Sequence, residues 1–187
     1  MGADSNYKCS QSPGNVYQWN AAQCVAVMDV TFQNDPVLKS GATVGEKKQA
    51  VEEWGQLKAF LVVHLGVFGA ENILKALGVK YLRWSDKHIK DTFRHDMSEM
   101  FRRLPTQLKV SWHNRYLDLY QRNDSVPTLE AVLTQHRSTY TTVRYEPHHY
   151  VSTIRDLGLD IFTYHKIIRA GLEIFASDAC YCPGRSC

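Results

Sequence analysis

The chain has 187 residues, of which 44% are hydrophobic, so it is long enough for one sizeable core and short for two domains. Its 22 basic and 19 acidic residues leave a formal net charge of +3, and this near balance argues against a dedicated nucleic-acid binder. The five cysteines are too unevenly spaced for the disulfide framework of a small secreted domain, and no apolar run is long enough to cross a membrane. We therefore expect a cytoplasmic protein, with no signal peptide at its polar start.

Residues 1–44 are rich in Ser, Asn and Gly, which predicts a flexible N-terminal extension. The apolar run Ala21–Val30 within it is interpreted as a short strand or helix that packs on the main domain. Gly2 is in the position that accepts myristate, and Cys9 could carry a second acyl chain, which together would anchor the chain to a membrane. Asn6 stands where the acylation motif has Ser or Thr, so a plain extension is the preferred interpretation.

A helix is predicted from Glu46, where good helix formers alternate with apolar residues at helical spacing. Gly66 and Gly69 interrupt this spacing, so we expect a break there and a second helix over Ala70–Trp84. Ser85 is a favourable N-cap for a third helix. The inward positions of that third helix are Ile89, Phe93, Met97, Met100 and Phe101.

Pro105 predicts the start of the next helix, because its missing N–H costs nothing in a first turn. The spacing of Leu108, Trp112 and Tyr116 places them on the main apolar face of this helix. His113 is interpreted as a solvated histidine on the surface of the same helix.

The most informative stretch covers residues 127–160. Pro147 fits the first turn of a helix that follows a hydroxyl-rich connection. A lone imidazole directed into an apolar cavity, with an aromatic-bearing helix after it, is one way in which a protein holds an iron porphyrin. Before the connection, four residues recur at spacings that place them on one helix face: Leu129, Val132, Leu133 and His136.

This stretch resembles the proximal-histidine helix of the globin family and the start of the helix after it. The resemblance covers residues 48–176, and it implies an all-α, globin-like helical bundle over residues 45–176. The flexible extension would precede this bundle, and a short cysteine-containing tail, residues 177–187, would follow it. The residues that carry the resemblance are Leu129, Val132, His136, Val143, Pro147 and Tyr150, with tyrosine where globins usually have phenylalanine.

The resemblance also implies a cofactor, haem b, with His136 as the axial ligand of the iron. Phe93 is the expected phenylalanine against the porphyrin, and Phe101 is the second candidate. Val143 and Tyr150 are expected to contact the haem from the proximal side.

On the distal side, counting back from His136 by the family's usual separation places Gln107 near the bound gas. Val110 or Ser111 then lies one turn further along the helix. The implied function is reversible binding of dioxygen or another diatomic gas, NO or CO, in a sensing or redox role rather than in bulk transport.

Two other interpretations remain open. One is a helical sensor or adaptor domain with the same fold and no haem, which is favoured by the absence of room for a final globin helix before the tail. The other is a peripheral membrane adaptor anchored through Gly2 and Cys9. No nucleotide-binding, metalloprotease or EF-hand motif is present, so an enzyme is less favoured, and the sequence does not define the oligomeric state.

The C-terminal tail carries three cysteines, and the sequence leaves their role open. They could contribute ligands to a zinc site, take part in redox chemistry, carry lipid, or lie in an unstructured tail. These residues are Cys180, Cys182 and Cys187.

Overall fold

A computed structural model describes residues 14–34, 41–120, 126–135 and 162–177. This part of the chain is almost entirely helical and has no β-strand, which confirms the predicted all-α class. None of its helices is long and apolar enough to cross a membrane. The helices are α1 (Gly14–Gln33), α2 (Val44–Leu82), α3 (Asp86–His88), a π-helical turn (Ile89–Phe93), α4 (Met97–Arg103), α5 (Thr106–Asp118), α6 (Leu129–Gln135) and α7 (Thr163–Ala176).

The long helix α2 is the centre of the bundle, and both α1 and α7 pack along it. A reciprocal capping box fixes its start: the Thr43 hydroxyl accepts from the backbone N–H of Glu46, and the Glu46 carboxylate accepts from the backbone N–H of Thr43. The helix ends where Arg83 adopts a φ of 57°, a left-handed conformation that terminates helices.

The predicted break at Gly66 and Gly69 is wrong, because α2 continues through both residues. A β-carbon at Gly66 would lie 2.5 Å from Cβ of Tyr164, and one at Gly69 would lie 2.5 Å from Cδ1 of Ile168. Both contacts are with α7. These glycines therefore allow α7 to approach α2 closely, and they do not end the helix.

Helix α7 also runs without a break through its own glycine, Gly171. A β-carbon there would lie 2.6 Å from Cγ1 of Ile73 on α2 and 3.0 Å from the Trp112 ring on α5. The Trp112 indole N–H donates to the backbone carbonyl of Ile167 at 3.0 Å. The lack of a side chain at Gly171 therefore leaves room for Ile73 and Trp112 where α2, α5 and α7 meet.

Helix α1 differs from the flexible extension expected for residues 1–44. Its inner face is buried and packs against α2 and α7, so α1 belongs to the helical bundle. The apolar run Ala21–Val30, for which strand and helix were both open, is helical. The buried inner-face residues are Ala21, Cys24, Val25 and Met28.

The third predicted helix is divided. Ser85 caps its start as predicted, since the Ser85 hydroxyl accepts from the backbone N–H of His88 at 3.1 Å. After the π-helical turn, Arg94 has a φ of 51° and interrupts the helix, and Asp96 then caps α4 by accepting from the N–H of Glu99. The five inward positions predicted for this helix are all buried: Ile89, Phe93, Met97, Met100 and Phe101.

Candidate functional site

A cleft of about 390 Å³ opens between α4, α5 and the start of α6. Its volume lies within the range of small-molecule sites, about 300–1,000 Å³. Its floor is aromatic, while its rim carries one cation and one carboxylate. The lining residues are Phe101, Thr106, Lys109, Val110, His113, Thr128 and Glu130.

The two faces of α5 explain why a cleft forms here. Leu108, Trp112 and Tyr116 are fully buried, as the sequence predicted, and they hold α5 against the core. Three of the residues that line the cleft lie on a neighbouring face of α5, at positions i, i+1 and i+4: Lys109, Val110 and His113. One face of α5 is therefore used for folding, which leaves the neighbouring face to form a wall of the cleft.

His113 was interpreted from sequence as a solvated histidine, but it is half-buried in the cleft. Its Nδ1 accepts a hydrogen bond from the backbone N–H of Leu129, at a long distance of 3.5 Å. Tyr116 reinforces the same connection, because its hydroxyl donates to the backbone carbonyl of Pro127 at 3.2 Å. His113 thus ties α5 to the first turn of α6.

The charged groups at the cleft belong to Lys109 and Glu130. The Lys109 ammonium lies 6.0 Å from the centroid of the Phe101 ring and donates to the backbone carbonyl of Arg102 at 3.4 Å. Glu130 is exposed on α6. A ligand with an apolar body and an acidic group would match the Phe101 floor and the Lys109 cation.

The structure brings some of the sequence-predicted site residues to this cleft. Val110, which is 53% exposed, and Phe101, the second candidate for the phenylalanine against the porphyrin, both line it. Gln107 is exposed and Ser111 is half-buried on α5, and neither is among the lining residues. Of the three residues predicted for the distal side, Val110 lines the cleft, whereas Gln107 and Ser111 do not.

Phe93, the first candidate for the phenylalanine against the porphyrin, lies elsewhere. It is 2% exposed, and its ring centroid is 4.5 Å from that of Trp84 and 5.3 Å from that of His88. Its ring packs in an aromatic cluster at the end of α2 and is not among the cleft residues.

The predicted proximal side is partly described. Leu129, Val132 and Leu133 on α6 are all buried, which confirms three members of the predicted face. His136 directly follows the last described residue of α6 and lies outside the described residues, as do Val143 and Tyr150. Their role in binding a cofactor stays a prediction.

Two polar contacts between distant parts of the chain were not predicted. The Glu71 carboxylate is buried and pairs with Lys75 and with Nδ1 of His95, at 3.1 Å. The Asp29 carboxylate lies 2.7 Å from Nε2 of the buried His165 and joins α1 to α7. Within the described ranges, no three or more His, Cys, Asp or Glu side chains are grouped to hold a metal ion. We therefore assign both contacts to the packing of helices.

Burial also sets the chemistry of Cys24, which lies on the inner face of α1. Loss of hydration raises the pKa of its thiol to about 11. The thiol therefore stays protonated at neutral pH, where it is a poor nucleophile. Cys24 acts as an apolar core residue.

Comparison of the chain with protein-family models, with curated proteins and with solved structures gives no match. The functional argument therefore depends on the residues of this chain and on the geometry of the cleft.

Proposed function

We propose that this protein binds haem b through His136 and reversibly binds a diatomic gas. The observation that carries the proposal is the burial of Leu129, Val132 and Leu133 on α6. These three residues share the predicted helix face with His136, so the spacing of the sequence directs the His136 imidazole towards the same interior. An imidazole on an apolar helix face is a side chain that could hold the iron of a haem, and the structure leaves the coordination number open.

The described residues near α6 fit this cofactor by their chemistry. Val110 is 53% exposed beside the Phe101 ring and offers apolar surface to a flat ring, and His113 adds an imidazole to the same wall. Lys109 supplies a cation at the rim, which suits the carboxylates of the porphyrin. When bound, haem supplies the iron atom to which O₂, NO or CO can attach.

The residues of the chain would then have separate roles. The His136 imidazole would hold the cofactor through one ring nitrogen, and a hydrogen bond from its other ring nitrogen would set its orientation. Phe101 and Val110 would exclude water from the bound ring. The proposed role is sensing or redox work, in keeping with the interpretation of the sequence, rather than bulk gas transport.

The test is an absorption spectrum of the purified protein before and after addition of hemin. We expect a Soret band that saturates at one hemin per chain, and we expect His136→Ala to remove it while the far-ultraviolet circular dichroism is unchanged. The matched control is His88→Ala, because His88 is an exposed histidine outside the cleft. Wild-type protein that stays colourless with excess hemin would refute the proposal.

A second candidate function is a haemless helical adaptor, and one specific observation favours it. Phe101 and Trp112 pack edge to face, with ring centroids 5.9 Å apart, and the fully buried Trp112 contacts α7. The interior between α4, α5 and α7 is thus filled with the chain's own aromatic side chains. In the adaptor, His136→Ala would lower the free energy of unfolding and change no spectrum in the visible range.

A further inference from the structure

Helix α1 has a second apolar face, which is exposed. Successive helical residues are turned by about 100°, so residues three, four and seven apart share a side. We call the exposed face the outer stripe of α1. It consists of Val16, Trp19, Gln23, Ala26, Val27 and Val30, all of which are exposed.

The outer stripe is unusual because it is large, apolar and uncharged. Trp19 is 61% exposed, and the exposed fractions of Val16 and Val30 are 63% and 59%. The only charged residue of α1 is Asp29, which lies off the stripe and contacts His165. A surface helix normally has charged or polar residues on its solvent side, and a helix that is apolar on two sides is usually covered on both.

The order of residues along the stripe is symmetric except for Ala26, whose counterpart Asn20 lies off the stripe. Val16 and Val30 lie seven residues before and after Gln23, and Trp19 and Val27 lie four residues before and after it. An antiparallel pair of identical helices centred on Gln23 would therefore place Trp19 of each copy opposite Val27 of the other, and Val16 opposite Val30. Such a two-fold arrangement is the commonest symmetry of protein dimers.

We propose that the outer stripe of α1 is the interface of a homodimer, in which two copies of α1 pack antiparallel about a two-fold axis through Gln23. Trp19 of one copy packs on Val27 of the other, and Val16 packs on Val30. The two Gln23 amides meet at the axis, where each can donate to and accept from the other. A single polar pair within an apolar seam sets the register of paired helices.

Charge and area both favour a second copy as the occupant. The stripe carries no charge, so two copies meet without repulsion between like charges. Complete burial of its six side chains on both copies would cover at most about 1,000 Å², which is near the lower limit for a specific interface. Interfaces near this lower limit are typical of weak and transient association, so we expect a dimer that forms and dissociates with protein concentration.

The first experiment is sedimentation velocity of the full chain over about 1–100 μM, a hundredfold range that suits a weak, concentration-dependent dimer. We expect the wild type to shift from monomer to dimer, and we expect Val27→Glu and Trp19→Lys each to stay monomeric across the range. The matched control is Val44→Glu, which adds the same charge at a residue that is 85% exposed and off the stripe, and it should dimerise like the wild type. Circular dichroism of each variant verifies that the fold is intact.

The second experiment tests the antiparallel register. When Val27→Glu and Trp19→Lys chains are mixed, the heterodimer contains one native pair and one pair of opposite introduced charges, so dimer should reappear in the mixture alone. A wild type that stays monomeric at all concentrations would overturn the proposal. A dimer that survives both stripe variants, or a mixture that stays monomeric, would do so as well.

Discussion

The contact between α2 and α7 allows a quantitative prediction for Gly66→Ala. A β-carbon at this position would lie 2.5 Å from Cβ and 2.9 Å from Cγ of Tyr164, well inside the usual carbon–carbon contact of about 3.5–4.0 Å. The nearest of these atoms, Cβ of Tyr164, is attached directly to the α7 backbone, so α7 itself would have to move. Overpacking of this kind costs about 1–3 kcal/mol. The better helix propensity of Ala returns about 1 kcal/mol.

Gly55→Ala is the matched control, because Gly55 lies in the same helix and a β-carbon there would meet no atom within 4 Å. It should stabilise the protein by about 1 kcal/mol through helix propensity alone. The propensity terms cancel in the comparison, so Gly66→Ala should be less stable than Gly55→Ala by about 1–3 kcal/mol. Urea denaturation followed by circular dichroism measures this difference. Equal stability of the two variants would show that α7 does not approach α2 as described.

Two further predictions concern stability. Burial raises the pKa of Cys24 to about 11 from its ordinary value of 9.0, so the unfolded state loses the thiol proton first. The contribution of Cys24 to stability is therefore complete below pH 9 and is lost towards pH 11. Burial also raises the pKa of Tyr164, which destabilises wild type and variant alike at high pH. Between pH 8 and pH 10.5 we expect the wild type to lose about 2 kcal/mol more than Cys24→Ala, measured by urea denaturation at both pH values. Lys80 donates to the backbone carbonyls of Phe175 and Ser177 at the end of α7. Lys80→Met should therefore lower the free energy of unfolding, measured by urea denaturation, by about 1.5–3 kcal/mol. Lys87→Met is the control: Lys87 is exposed, and its replacement should leave the urea midpoint unchanged.

Local signals in the sequence were sufficient for some elements. The N-cap at Ser85, the start of α5 after Pro105 and the buried faces of α5 and α6 follow from capping chemistry and helical spacing, and the structure confirms each of them. These features depend on residues within a few turns of one another. Such features can be predicted from the sequence because all the residues that determine them are close together in the chain.

The continuity of α2 could not be derived in the same way. A glycine in a helical pattern either ends the helix or makes room for a neighbour, and the choice depends on what packs against it. Gly66 and Gly69 meet α7 residues about 100 positions away in the sequence. The interpretation of His113 failed for the same reason, because its partner is a backbone N–H on another helix.

The candidate site was recovered only in part. Counting residues along the chain selected Val110, which lines the cleft, but it also selected Gln107, which is exposed outside it. A count of residues fixes the angular position on a helix only when the start and tilt of that helix are known. Spacing ranked Phe93 ahead of Phe101 for the porphyrin contact, yet only Phe101 lines the cleft. The two rings lie in different aromatic clusters because Arg94 interrupts the helix between them.

Only the Ala21–Val30 part of helix α1 was predicted to pack on the main domain, because the two apolar faces of the helix weaken the periodic signal that marks an amphipathic helix. These faces have different thermodynamic roles. Met28 on the inner face is fully buried, so its packing contributes to the stability of the monomer. Trp19 and Val27 on the outer stripe are exposed in the monomer and contribute little to its stability. Substitutions of exposed residues usually change stability by about 0.5 kcal/mol or less. An effect of Trp19→Lys on the concentration dependence of sedimentation would therefore report association between chains and not a loss of the fold.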